Sequence, residues 1–77
     1  VNASELHKNQ SAVITSVKEG FYTQKLMEMG CVPGTSISLE HTAPSGDPIA
    51  LNIDGYVLGL RKEEAEYLHI ELSAHFE

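Results

Sequence analysis

Residues 35–60 read TSISLEHTAPSGDPIALNIDGYVLGL, and this stretch decides the fold. Over residues 35–43, Ile37, Leu39, His41 and Ala43 fall on one side and Ser36, Ser38, Glu40 and Thr42 on the other, the period-two pattern of a half-buried strand. Pro44-Ser45-Gly46-Asp47-Pro48 then breaks the pattern, because its prolines fix φ and remove donors while Gly46 admits positive φ. Ile49, Leu51 and Ile53 resume the alternation, Asp54-Gly55 supplies a two-residue hairpin turn, and Tyr56, Leu58 and Leu60 continue beyond it. Three strands therefore run as an antiparallel meander.

Working outward, residues 12–17 carry Ala12, Ile14 and Ser16 on one face and Val13, Thr15 and Val17 on the other, a first strand. After Glu19-Gly20 the apolar spacing changes to Tyr22, Leu26 and Met29, an i, i+4, i+7 stripe that predicts a short helix over residues 21–29. Gly30 stands where a helix ends in a left-handed residue, and Pro33-Gly34 supplies the central pair of a type II turn. On the far side of the meander, residues 62–68 are good helix formers, with Glu63 and Glu64 in the first turn. Residues 69–72 alternate once more, Ile70 and Leu72 against His69 and Glu71, as a closing strand. The expected class is mainly β: about five strands with two short helices, curled into a small barrel to limit exposed edges.

The chain has 77 residues, enough for one hydrophobic core, so a single domain spanning 1–77 is expected. With 42% apolar and 21% charged residues it is not a disordered polymer. Five Lys and Arg against eleven Asp and Glu leave a net charge of −6, which disfavours a nucleic-acid partner and direct adhesion to anionic lipid. No apolar run approaches the ~20 residues that cross a bilayer, and no basic start leads into an apolar segment, so a cytoplasmic location is expected. The single cysteine, Cys31, has no intramolecular partner, which leaves stability to core packing.

Leu26-Met27-Glu28-Met29-Gly30-Cys31-Val32-Pro33-Gly34, then Ala43-Pro44-Ser45-Gly46-Asp47-Pro48, then Gly55-Tyr56 with Leu58, Leu60-Arg61 and Glu64-Ala65 together resemble the FeoA family, the small ferrous iron transport protein A. The resemblance covers residues 6–72 and depends on three motifs in register rather than on any one of them. It implies an SH3-like barrel, and an accessory role in the cytosol beside FeoB, the membrane GTPase of ferrous iron uptake. The same domain type also occurs at the end of iron-dependent repressors. Two departures stand out: Asn9 where a glycine is usual before the first strand, and Cys31 where the family has Leu, Ile or Phe. Asn tolerates the left-handed region, and a buried cysteine packs as a small hydrophobe.

No nucleophile elbow, phosphate-binding loop or pair of carboxylates bracketing an apolar cleft is visible, so no catalytic residue is assigned and no enzyme is expected. His7, His41, His69, His75 and Cys31 lack the spacings that preorganise a metal site, so no metal ligand and no cofactor is assigned; exposed histidines of this kind would trap only weak, adventitious divalent ions. The expected working surface is a docking groove beside the first helix and the turn after it. Met27, Cys31, Val32, Pro33 and Tyr56 are its candidate contacts, with Met27 turned about 100° from Leu26 toward solvent. The expected partner is the cytosolic part of a FeoB-like GTPase, and the chain itself is a monomer or a weak homodimer. Two rival readings are an Fe(II)-sensing module whose metal affinity controls docking, and a peptide-binding adaptor of SH3-like fold.

Overall fold

In a computed structural model, residues 1–73 are described; His75 lies outside them. A 3-10 turn over Ala3–Glu5 leads to β1 (Ser11–Val17), α1 (Thr23–Glu28), β2 (Ser36–Thr42), β3 (Ile49–Ile53), β4 (Tyr56–Leu60), α2 (Lys62–Ala65) and β5 (Leu68–Leu72). The strands form one antiparallel sheet of order β4-β3-β2-β1-β5, with the meander intact and the last strand returning beside the first. β4 and β5, the two ends of the sheet, are not paired with each other and are connected along the chain through α2. The outer edge of β5 is met by the start of the chain, where Asn2 bridges to His69 and the Ile70 N–H donates to the Val1 carbonyl at 3.1 Å.

The core is a single cluster drawn from every strand and both helices: Ala12 and Ile14 from β1, Leu26 from α1, Ile37 from β2, Ile49, Leu51 and Ile53 from β3, Leu60 from β4, Ala65 from α2, and Leu68 and Ile70 from β5. β3 keeps the alternation predicted for it, with Ile49, Leu51 and Ile53 buried. The turn residues also behave as their chemistry requires. Asp54 and Gly55 both take positive φ, 49° and 107°, as a two-residue hairpin turn matched to strand twist demands. Asn9 sits at φ 71°, in the left-handed region.

Two β-bulges account for the departures from strict alternation. In β1 the pairing with β5 slips between Ile14 and Ser16, so Thr15 is the extra residue; Ser16 turns to solvent and Val17 packs against the core. In β2 the register slips between Leu39 and His41, making Glu40 the extra residue and leaving His41 exposed instead of continuing the face of Ile37. Leu72, expected inward with Ile70, lies half-exposed at the end of its strand.

Both helices are shorter than the periodicity predicts. The Thr23 hydroxyl accepts the Gly20 N–H at 2.7 Å and the Tyr67 hydroxyl accepts the Phe21 N–H at 3.0 Å, which holds Gly20 and Phe21 in a turn ahead of α1. At α2, the Tyr67 carbonyl accepts the Lys18 N–H at 2.8 Å, so the chain is already in the sheet by Leu68, the partner of Val17.

One carboxylate joins the two helices. Glu64 is 5% exposed; its Oε1 accepts the Arg61 N–H at 2.9 Å, capping α2, and its Oε2 accepts from Lys25 Nζ of α1 at 2.7 Å. The Lys25 hydrogen bond, aided by the Arg61 N–H, holds the Glu64 carboxyl below its ordinary value of 4.5 against the opposing effect of burial. A lowered folded value means that the stabilisation is complete above pH 4.5 and is lost as pH falls through the folded value. Glu64→Gln is therefore expected to cost about 1–2 kcal/mol at neutral pH, the Lys25 end being solvent-screened. The same variant should flatten the acid limb of a plot of urea midpoint against pH; a variant that keeps the wild-type limb would remove Glu64 as its source.

Candidate partner-docking face

α1 ends in a left-handed stop that shapes the whole face. Gly30 takes φ 97°, its N–H donates to the Met27 carbonyl at 3.1 Å, and the Cys31 N–H reaches back to the Leu26 carbonyl at 3.0 Å. This is the Schellman pattern, in which the residue after the left-handed one folds back onto the helix and packs against its third-last position. That position is Leu26, and both Leu26 and Cys31 are fully buried.

The same geometry corrects one expected contact. Cys31 was placed among the docking residues, but at 0% exposure it offers a partner nothing; its sulfur belongs to the core. Burial pushes its thiol up to about 11, so it stays protonated and unreactive at neutral pH.

The remaining four candidates are exposed around the end of α1. Met27 is 44% exposed, Val32 36% and Tyr56 47%, and Pro33 is exposed as well. Val32, Pro33 and Gly34 form the expected turn, with Gly34 at φ 94° and the Thr35 N–H returning to the Val32 carbonyl at 3.2 Å. Two further bonds lash the turn to β1, from Gly34 N–H to the Ile14 carbonyl at 2.7 Å and from Ile14 N–H to the Thr35 carbonyl at 2.9 Å. From the start of β4, the Tyr56 hydroxyl donates to the Met29 carbonyl, one of the carbonyls a helix end leaves without an intrahelical partner. The turn and the Tyr56 hydroxyl are thus held in place, and Met27 adds an exposed, adaptable thioether on the last turn of α1.

One exposed aromatic escaped the periodicity reading. Phe21, 87% exposed, stands at the other end of α1. Its ring meets Tyr22 edge-on at 5.0 Å, and Tyr22 meets Tyr67 at 5.4 Å. Tyr22 also donates to Glu63 Oε2 at 2.7 Å, so the base of this stack is fixed while Phe21 is displayed. The available signal was a large aromatic directly after the Glu19-Gly20 break and out of phase with the Tyr22, Leu26, Met29 stripe. Exposed apolar groups therefore bracket α1 at both ends.

The described histidines form no metal-binding cluster. His7 and His41 line one shallow depression with Lys8, His69 is exposed on β5, and among the described residues no three His, Cys, Asp or Glu side chains converge as a metal site requires. Among the described residues, no helix is long and apolar enough to cross a membrane.

The family model of the FeoA domain matches residues 1–72. The chain belongs to the FeoA family. A curated relative, the Fe(2+) transport protein A/Fe(2+) transporter FeoB fusion protein of Porphyromonas gingivalis, is 39% identical over 70 residues; the match takes in 90% of this chain and 8% of the relative's length. Among solved structures, the FeoA-like protein of Clostridium acetobutylicum superposes with a TM-score of 0.91 at 36% identity, covering 100% of this chain and 91% of that one. FeoA of Stenotrophomonas maltophilia, solved in complex with zinc and described as a prokaryotic SH3 domain protein, gives a TM-score of 0.83 at 26% identity over 92% of this chain and 89% of that one. The fold is thus SH3-like, as the strand order indicates.

Proposed function

We propose that this FeoA-type domain is a non-catalytic cytosolic accessory of ferrous iron uptake that docks on the cytosolic part of a FeoB-like GTPase. The observation that carries this reading is the Porphyromonas gingivalis relative, in which a 39% identical FeoA segment is part of the same polypeptide as FeoB. Covalent linkage keeps two modules at high local concentration, which benefits modules that work in contact. The docking surface is the face around the end of α1, made of Met27, Val32, Pro33 and Tyr56, and the net charge of −6 speeds encounter with a basic cytosolic surface. Docking alters the GTPase only by favouring one of its conformations or assemblies over another. Iron is the cargo of that partner.

Met27→Asp tests the surface. Met27 is outside the core cluster, so the variant keeps the fold, while a buried carboxylate at the contact should weaken binding to the cytosolic part of FeoB at least ~10-fold. Unchanged affinity by calorimetry would remove this face from the interface. A second reading, in which Fe(II) binding controls docking, draws on the zinc complex of the Stenotrophomonas maltophilia relative. It requires stoichiometric Fe(II) binding to the isolated domain and a docking affinity that changes with it, both measurable in the same titrations.

A further inference from the structure

Among the described residues, one side of β4 has no backbone partner. The Asp54 N–H donates to the Ser36 carbonyl of β2 at 3.0 Å, which sets the alternation along β3: the peptide groups of Ile53, Leu51 and Ile49 turn toward β4 and meet Tyr56, Leu58 and Leu60. The N–H and C=O groups of Val57 and Gly59 therefore point away from the sheet, and among the described residues no further strand lies beyond them. Natural edges are normally blunted by a charge, a proline or a covering segment. Between Tyr56 and Leu60 there is neither charge nor proline, and Val57 is 59% exposed.

We infer that the free edge of β4 pairs with the β4 edge of a second copy of this chain, antiparallel and centred on Leu58. This register matches at every position. Val57 stands opposite Gly59 of the second copy, and the outward groups of these two residues close four intermolecular hydrogen bonds across the dyad. The exposed Val57 side chain lies beside a glycine over which there is open space, since a Cβ built at Gly59 meets nothing within 4 Å. Leu58 faces Leu58, and Tyr56 faces Leu60. A flanking strand of another protein would need the same spacing of small and apolar residues; this chain carries it by its own symmetry about Leu58. A strand pair of this length buries less than the ~1,000 Å² of stable interfaces, so the association is weak and concentration-dependent.

Sedimentation equilibrium and ¹⁵N NMR of the chain, taken up to roughly 1 mM, test this directly. The expected result is a reversible monomer–dimer equilibrium in which the Val57 and Gly59 amides gain exchange protection with concentration, while Leu58 and Leu60, already bonded to β3, do not. Val57→Pro removes an outward N–H that the monomer does not use, a substitution tolerated at an edge, and should abolish dimerisation with the monomer still folded. Val57→Lys places on the exposed side of β4 the kind of charge that blunts natural edges, and should weaken dimerisation several-fold. A monomer at every concentration overturns the inference. So does a dimer that persists in both variants, or one whose protection falls on other strands.

Discussion

Leu51→Ala is expected to leave the domain largely unfolded at physiological temperature. Leu51 is fully buried at the middle of β3, paired with Leu39 on one side and Leu58 on the other, and belongs to the core cluster that gathers residues from every strand. Removing a buried leucine side chain costs ~3–5 kcal/mol where the surroundings cannot collapse, and here the backbone on both flanks is held by ladder bonds. A core of this size supplies no more than ~3–5 kcal/mol of net stability, with no disulfide to reinforce it. The loss and the reserve are therefore of equal size. Far-ultraviolet circular dichroism followed through a urea titration should show the transition shifted toward zero denaturant or absent. A midpoint within a small shift of wild type would mean that β3 is not the centre of the core.

Gly30→Ala is expected to be the most damaging change at the docking face, although it adds a single methyl group. At φ 97° an alanine is strained, and the added carbon would lie 3.0 Å from the Tyr56 hydroxyl. Either the helix end opens or Tyr56 releases the Met29 carbonyl. With the backbone strain either outcome costs ~2–3 kcal/mol, and the second also frees the Tyr56 ring from the end of α1. Tyr56→Phe removes only the hydroxyl and should cost ~1 kcal/mol. Because the hydroxyl is what the new methyl meets, Gly30→Ala should cost less in the Tyr56→Phe background than alone, a coupling that a double-mutant cycle on urea midpoints reads. Strict additivity would show that Gly30 and Tyr56 act separately.

What was legible in the sequence follows from where local chemistry dominates. The Asp54-Gly55 and Pro33-Gly34 turns, the stop at Gly30 and the buried face of β3 depend on residues adjacent in the chain, and they appear as read. The order of elements followed because each run of apolar residues had room for only one partner face. The bulges at Thr15 and Glu40 were not legible, because a bulge is set by how two distant strands fit their twist together, and neither residue carries a local mark of it. His41 was assigned to the wrong face for that reason. Cys31 was misplaced differently: its neighbours Val32 and Pro33 are exposed, and only the return of its N–H to the Leu26 carbonyl turns it inward. The Glu64 link to Lys25 lay beyond a pattern reading because 39 residues separate the partners.

The placement of β5 beside β1 governs the order in which this molecule can be built. Thr15 donates its hydroxyl to the His69 carbonyl 54 residues later, and Val1 is joined to Ile70. On the ribosome the first strand emerges early and must wait, one edge bare, until nearly the whole segment has been synthesised. The meander can form from neighbours, but the sheet is completed only by its latest arrival. A nascent chain halted before Leu68 would lack Leu68 and Ile70 of the core and leave the Ser11–Val17 edge without the strand that covers it.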